Sequence, residues 1–289
     1  MGLFDFFSGK NKPQPPVNSN QDLLEKVEPV PGLKLSRALA SYWPEIEKTK
    51  LPYISIDATP KEDLALEQSK FGHFPCMPID FEYPTDIAGR PMYPLAQINC
   101  KELPALSGYP TSGYLQFYIS GFDDVYGIDF NDSQSQKNFR VLYFEENDVE
   151  KYKADFSFLD EVMESEQLPI PKPYALSFEK KEEYIGAGDV REAGMFDFAK
   201  RFPAMEDELQ EEVYDNFRST GHKIGGYAYF TQEDPRLYNS PFKDYILLLQ
   251  IDSLDEIMWG DCGVANFFIH PDDLARKDFS KVVYNWDCS

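Results

Sequence analysis

The sequence predicts a mainly β (α+β) protein in which two similar antiparallel β halves carry a few peripheral helices. Three observations lead to this prediction. Aromatic residues make up 15% of the chain, with 23 Phe and 18 Tyr, and such side chains favour half-buried pleated surfaces. Alternating or aromatic-rich runs, each bounded by turn residues, recur along the chain. The order of these runs repeats after about 150 residues, which is the scale of a duplicated domain.

The chain carries a strong excess of acidic residues. Its 50 Asp and Glu outnumber its 28 Lys and Arg, and the formal net charge is −22. Such a field repels nucleic-acid phosphates, so we expect no nucleic-acid partner. No apolar run approaches the roughly 20 residues of a membrane span, and the N-terminus lacks the features of a secretory signal. With four cysteines and no Cys-x-x-Cys pair, we expect a cytoplasmic protein without membrane contact.

Composition along the chain predicts its domain organisation. Residues 1–20 are interpreted as a flexible tether, because their second half mixes Gly, Ser, Asn and Pro without a hydrophobic period. Residues 21–289 are interpreted as one domain with two β-rich repeats, at about 50–150 and 170–289.

Three stretches have helical patterns. Apolar residues between 21 and 49 recur at three- and four-residue spacing, which predicts two short helices. The tetrapeptide Thr59-Pro60-Lys61-Glu62 has the composition of a capping box and predicts a helix that ends near Lys70. Apolar side chains at every fourth position predict a helix over 203–217.

Strand-like runs fill the remainder of both halves. In the first half these are YPLAQINC (93–100), GYLQFYI (113–119) and FRVLYFEE (139–146). In the second half they are KIGGYAYF (223–230), DYILLLQIDS (244–253), GVANFFIH (263–270) and FSKVVYNWD (279–287).

An internal repeat relates the two halves. At an offset of 153, residues 96–99 align with 249–252, and both tetrapeptides read apolar-Gln-Ile-Asx. At an offset of 150, residues 113–119 align with 263–269, where Gly, an amide residue, Phe, an aromatic residue and Ile coincide. This ordered series predicts that the halves arose by duplication and share one strand arrangement.

The same motifs resemble a known family. The combination of FGHFPCMP, GRPMYPLAQINCKELP, GYLQFYI and DDVYG with HKIGGYAYFTQEDPR, LLLQIDS, IMWGDCGVANFFI and DFSKVVYNWDC is similar to the YwqG-like bacterial proteins, a domain of unknown function. The resemblance covers about 50–289 and implies a roll-like β fold of duplicated halves without an established activity. Some relatives look like components of polymorphic-toxin loci. His73 departs from the pattern, because a second glycine, as in Gly225-Gly226, is more usual there.

The repeated polar residues are the first candidates for a ligand site. Gln97, Gln250 and Asp252 alternate with isoleucines, so those of one half share a sheet face. They are either buried groups that tie strands and loops together, which we favour, or the lining of a pocket where the halves meet. Arg236, in a turn after Asp234 and interpreted as mostly exposed, is a further candidate because a guanidinium binds a carboxylate ligand.

A turn before one of the last strands supplies the remaining candidate. Asp261 precedes Cys262 between two glycines, which suits either an exposed reactive thiol or a tight turn. The turn is favoured, because a neighbouring carboxylate raises the pKa of a thiol and suppresses the reactive thiolate. The three histidines have no partners at metal-ligand spacing. We therefore expect no metal, no cofactor and no identifiable catalytic residue.

Two functions remain as hypotheses. The charge and the absence of a catalytic motif favour a non-catalytic protein-binding module, of the immunity type in view of the family resemblance, whose partner is a basic protein. The alternative is an enzyme or small-molecule binder with a cleft between the two repeats.

Overall fold

Strands dominate the fold. The structure is a computed structural model that describes residues 19–238 and 240–289. Its strands are β1 Lys26–Val30, β2 Leu33–Ser36, β3 Leu51–Pro60, β4 Lys70–Phe71, β5 Tyr93–Asn99, β6 Tyr114–Ile119, β7 Phe139–Phe144, β8 Tyr174–Glu183, β9 Lys223–Gly225, β10 Ile246–Asp252, β11 Val264–Ile269 and β12 Val283–Asp287.

The helices of the described residues are short and surround the sheet. They are α1 Ser19–Leu24, α2 Arg37–Ala40, α3 Trp43–Ile46, α4 Asp160–Met163, α5 Phe198–Arg201, α6 Glu206–Phe217 and α7 Pro271–Ala275. The predicted mainly β class with peripheral helices is therefore confirmed.

Ten strands form one antiparallel, nearly closed, barrel-like sheet in the order β12-β11-β10-β9-β3-β8-β4-β5-β6-β7. The long strands β3 and β8 lie at its centre and pair continuously from Leu51 opposite Glu183 to Pro60 opposite Tyr174. One flank of this pair consists of β4 to β7, and the other consists of β9 to β12.

The two flanks have matching registers. Ala96 pairs with Phe117 in the first flank, and Leu249 pairs with Phe267 in the second. The register shifts just before each pair, between Pro94 and Ala96 and between Leu247 and Leu249. Both flanks thus bend at the same place along their strands.

Curvature of the sheet brings the flanks together around the main hydrophobic core. The rings of Phe117 and Phe267 lie 4.8 Å apart between centroids, and both side chains are fully buried. Residues alternate between the two faces of a strand, so the neighbours Gln116 and Asn266 point to the opposite face.

A second hydrophobic cluster joins α2 and α3 to α5 and α6. It consists of Leu35, Ala38, Leu39, Tyr42, Ile46, Ala187, Phe198, Met205, Leu209, Val213 and Phe217. Because α6 buries Leu209, Val213 and Phe217 here, most of its acidic residues lie on the other sides of the helix, whereas Glu212 is buried and accepts from the Ser36 N–H at 2.6 Å.

The structure confirms several predicted elements and corrects others. The strands predicted at 93–100, 113–119 and 139–146 and the helix predicted over 203–217 are present as β5, β6, β7 and α6. His270 caps α7, as its Nδ1 accepts from the Asp272 N–H at 3.2 Å. The strand predicted at 223–230 is shorter, since only β9 forms there.

The helix predicted from Thr59 to Lys70 is wrong. Thr59 and Pro60 instead end β3, opposite Ala175 and Tyr174. A cap contributes about 1 kcal/mol, which is too little to compete with the ladder between two ten-residue strands. The two helices predicted over 21–49 are also only part of the observed structure, because β1 and β2 interrupt the helical segments. The predicted tether lies outside the described residues up to position 18, and α1 begins at Ser19.

Candidate functional site

Gln97 holds a loop of the first half against the sheet. Its Nε2 donates to the carbonyl oxygens of Leu66, at 2.7 Å, and Gln68, at 3.0 Å. Its Oε1 accepts from the Cys76 backbone N–H at 2.7 Å and from Gln116 Nε2 at 2.9 Å. Both amide donors are occupied, so this side chain joins the two ends of the segment that precedes β5.

Gln250 makes the corresponding contacts in the second half. Its Nε2 donates to the carbonyls of Ser219 and Gly221, at 2.9 and 2.8 Å, and its Oε1 accepts from the Tyr229 N–H at 2.8 Å. Each partner lies 153 positions after the corresponding partner of Gln97. The two amides thus tie equivalent loops, and ligand binding by either remains a prediction.

The glutamines do not face the place where the flanks meet. Gln97 pairs across the ladder with Gln116, and Gln250 pairs with Asn266. These residues lie on the face opposite to Phe117, whose ring contacts that of Phe267.

Asp252 is held by three hydrogen bonds. Its Oδ2 accepts from the Gly221 N–H at 2.6 Å, and its Oδ1 accepts from the Ser253 N–H at 2.8 Å. Its own N–H donates to His222 Nδ1 at 3.0 Å. Burial raises the pKa of Asp252, although the two N–H donors oppose that effect. Burial also lowers the pKa of His222 to about 4, so at neutral pH this imidazole is an uncharged acceptor.

Arg236 is wholly buried, which corrects the expectation of an exposed turn. Its Nε donates to Asp234 Oδ1 at 2.9 Å, its Nη2 to Asp189 Oδ2 at 2.9 Å, and its Nη1 to the Tyr245 carbonyl at 2.8 Å. Burial alone would raise the pKa of Asp189, but hydrogen bonds from Arg191 and the charges of both arginines hold it below its usual value. Two cations therefore balance two buried anions, and the guanidinium is already fully engaged.

Asp261 and Cys262 lie on an exposed turn between β10 and β11. Cys262 has a φ of +55°, and the Asp261 carbonyl accepts from the Ser289 N–H at 3.2 Å. The left-handed backbone is typical of a tight turn. Ligand binding by Asp261 remains a prediction.

A cleft of about 360 Å³ lies between α6 and the segment 187–199 and was not predicted from the sequence. We call it the acidic cleft. The carboxylates of Glu192, Asp197 and Glu206 line it, together with the aromatic rings of Phe196, Phe198 and Tyr214. No Lys, Arg or His is among the described residues that line it.

Local backbone structure positions the carboxylates. Asp189 accepts from the Arg191 N–H at 3.0 Å and begins the short 3-10 helix Val190–Glu192. The Gly188 N–H donates to Glu192 Oε2 at 2.8 Å. Asp197 Oδ1 accepts from the Tyr42 hydroxyl at 2.6 Å. Two of the three carboxylates are thus oriented in advance.

The aromatic wall is also ordered. Phe196 and Phe198 stack with their ring centroids 5.0 Å apart, and Tyr42 packs edge-on against both. Tyr214 is 42% exposed, and the guanidinium of Arg218 lies 5.0 Å from its ring centroid. Aromatic faces of this kind attract cations, and Tyr214 already has one such contact.

The cleft is electrostatically suited to a cation. Burial raises the pKa of Glu192, and the nearby Asp189 charge adds to this effect, although the Gly188 N–H opposes it. A positive group beside Glu192 would favour its ionised form and relieve the repulsion.

Sequence reasoning missed this site, although two signals were present. Phe196-Asp197-Phe198 places an acid between two aromatic residues, and α6 opens with Glu206-Asp207-Glu208. Both signals are local. Their juxtaposition depends on the packing of α5 against α6, which pairwise patterns along the chain do not specify.

Within the described ranges, 19–238 and 240–289, no helix is long and apolar enough to cross a membrane, and no group of three or more His, Cys, Asp or Glu could hold a metal ion.

Comparison with known proteins gives a family but no function. No curated protein matches the chain. The family described as "Domain of unknown function (DUF1963)" matches residues 69–288, which include Gln97, Gln250 and the whole acidic cleft. The chain therefore belongs to the DUF1963 family, a domain of unknown function.

Proposed function

We propose that this chain is a non-catalytic protein-binding module that captures a basic protein, and that the acidic cleft receives an arginine or lysine side chain of that partner. One observation carries the proposal: three carboxylates and three aromatic rings converge on one cleft, and no described lining residue is basic. The net charge of −22 extends the attraction beyond the cleft.

An arginine suits this arrangement better than a lysine. A guanidinium donates to carboxylates in a planar fork and also stacks on aromatic faces. Glu192 and Glu206 supply the acceptors, while Phe196 and Tyr214 supply the rings. Charge-assisted hydrogen bonds contribute roughly 1.5–3 kcal/mol each, and a cation over a ring adds about 0.5–2 kcal/mol.

The more specific parts of the proposal rest on the sequence. Its resemblance to YwqG-like proteins supports a role as an immunity-type partner of a basic toxin in the cytoplasm. The equal offset of the Gln97 and Gln250 contacts supports an origin of the two halves by duplication. Duplication would supply the barrel-like scaffold, while the acidic cleft belongs to one half alone.

A labelled hexa-arginine peptide and the full-length chain provide the test, with binding measured by fluorescence anisotropy. Glu206→Gln and Glu192→Gln should each weaken binding by about fivefold or more, the equivalent of about 1 kcal/mol. Glu211→Gln is the matched control, because Glu211 lies on α6 but outside the acidic cleft. It should change the affinity by less than about twofold.

The dependence of peptide binding on salt and pH provides two further tests. Association should slow as the salt concentration rises through roughly 0.1 to 0.5 M, because the electrostatic screening length falls below about 10 Å in this range. The dissociation rate should change less. Binding should strengthen as pH rises through the raised pKa of Glu192, because only the carboxylate attracts the cation. Equal losses in Glu206→Gln and Glu211→Gln would contradict the proposal, since they would show attraction by net charge alone.

A further inference from the structure

A second cavity lies at the open edge of the sheet, where β7 faces the loop before β12. This edge groove has a volume of about 490 Å³. It is lined by Gln136, Arg140, Val141, Leu142, Tyr143, Lys277, Phe279 and Ser280. Its walls come from both flanks, so it is a cleft between the two halves.

The edge groove is cationic although the protein is acidic. Arg140 and Lys277 are the only charged groups among its described lining residues. Lys277 Nζ is paired with Glu145 Oε1 at 2.5 Å. Arg140 donates from Nε to the Gln136 carbonyl at 3.1 Å, and no carboxylate of the described residues lies within ion-pair distance of it. The terminal guanidinium nitrogens of Arg140 therefore supply the uncompensated charge.

Gln136 fixes the width of the edge groove. Its Nε2 donates to the Phe279 carbonyl at 2.6 Å, and its Oε1 accepts from the Val141 N–H at 2.9 Å. Its single side chain therefore bridges both walls. The rings of Tyr143 and Phe279 stack across the same gap, 5.7 Å apart. The groove is preformed, which lowers the entropic cost of binding.

The backbone of β7 adds a hydrogen-bond donor. The Val141 N–H points away from β6, because it is bonded to Gln136. Tyr143 lies two residues further along the strand, so its N–H points the same way. Because β7 is the last strand of the sheet, this N–H faces the side of the edge groove.

We infer that the edge groove binds a small organic carboxylate with an apolar body. The carboxylate lies against the Arg140 guanidinium and the Tyr143 N–H, and the apolar body lies along Val141, Leu142 and Phe279. One uncompensated cation suits a singly charged anion, since a dianion would add an unbalanced negative charge to a protein of net charge −22. This site is separate from the acidic cleft, and its ligand has the opposite charge.

Titration of the full-length chain with 1-naphthoate tests the inference, with ligand-observed NMR as the measurement. Naphthalene-1-methanol, the neutral analogue, should bind at least about fivefold more weakly, and inorganic phosphate should not compete, because it lacks the apolar body. Arg140→Gln should weaken naphthoate binding by about tenfold, and Arg140→Lys, which keeps the charge but not the fork, by about threefold.

Lys281→Gln is the matched control. Lys281 carries the same charge and lies one residue beyond Ser280, but it does not line the edge groove. It should change naphthoate affinity by less than about twofold. Equal losses in the Lys281 and Arg140 variants, equal affinity for acid and alcohol, or no binding of naphthoate by the wild-type chain would each overturn the inference. A folded Arg140→Lys variant keeps the test valid if Arg140→Gln unfolds.

Discussion

At one matching position, the two flanks of the sheet satisfy a backbone N–H with side chains of different chemistry. In the first flank the Asn99 N–H donates to Ser69 Oγ at 2.8 Å. In the second, 153 positions later, the Asp252 N–H donates to His222 Nδ1 at 3.0 Å. The backbone geometry is the same, while a neutral hydroxyl is replaced by a titratable ring. The two flanks therefore share this backbone arrangement, but only the second flank has a contact here that responds to pH.

Buried lysines extend the comparison. Lys70 and Lys223 begin β4 and β9, and both are almost completely buried. Lys70 Nζ donates to the carbonyls of Ala65 and Leu66, at 2.8 and 2.9 Å. Lys223 Nζ instead contacts both oxygens of Glu183, at 2.9 and 2.8 Å. The first flank thus binds its lysine with neutral backbone carbonyls, whereas the second flank binds its lysine with a charged carboxylate.

Gly226 leaves room for the ion pair between Lys223 and Glu183. A Cβ at Gly226 would lie 2.1 Å from Glu183 Oε1, and Gly226 has a φ of +72°. The position 153 residues earlier is His73, which carries a Cβ that Gly226 lacks. Among the described residues, Lys70 accordingly has no ion pair like that of Lys223.

The largest expected difference is between Lys223→Met and Lys70→Met. Loss of Lys223 leaves the mostly buried Glu183 carboxylate without its cation, which should cost about 3–5 kcal/mol of unfolding free energy. Loss of Lys70 leaves only two carbonyls, and burial has already lowered the pKa of this lysine to about 8, so we expect about 1 kcal/mol or less. Urea unfolding at pH 7 measures both. Equal costs would show that Glu183 does not distinguish the flanks.

The pH dependence of stability should follow His222. Between pH 6.5 and its folded pKa of about 4, the unfolded chain binds a proton that the folded chain excludes. Stability should therefore fall as pH is lowered through this window, by up to about 3 kcal/mol. His222→Ser copies the first flank and should remove this part of the pH dependence, at a cost of roughly 1–2 kcal/mol at pH 8. Parallel pH profiles of wild type and variant would contradict the assignment.

The smallest effect concerns one hydroxyl. Tyr118 donates to Gln116 Oε1 at 2.5 Å, whereas Phe268 occupies the corresponding place in the second flank and the Oδ1 of Asn266 is buried without a partner. Tyr118→Phe should remove this hydrogen bond to Gln116 Oε1 and lower the free energy of unfolding by about 1 kcal/mol. Unchanged urea stability would show that the hydroxyl is not needed to satisfy this amide.

The sequence predicted the strands well because period-two patterns report directly on a sheet face. The predictions were wrong at positions whose structure depends on contacts with residues distant in the sequence. Thr59 and Pro60 match a helix cap, yet pairing with β8 places them in a strand. Arg236 looks like an exposed turn residue, yet Asp189, far away in the chain, neutralises it in the interior. The acidic cleft depends on the packing of α5 on α6, so no single motif specifies it.

The scaffold and the proposed binding site use polar groups in different ways. Gln97 and Gln250 have their hydrogen-bonding groups occupied by loops of their own flanks. The acidic cleft, by contrast, presents carboxylates and aromatic rings that include the 42% exposed ring of Tyr214. We therefore expect partners to change the environment of the cleft and to leave the glutamines undisturbed.

Backbone amide NMR shifts of the isotope-labelled full-length chain, recorded during titration with hexa-arginine, test this claim most directly. We expect the shifts to concentrate in 187–199 and in α6, around Glu192, Glu206 and Tyr214, and we expect Glu206→Gln to diminish them. Shifts centred on Gln97, Gln250 or Asp261, or spread evenly over the acidic surface, would contradict it.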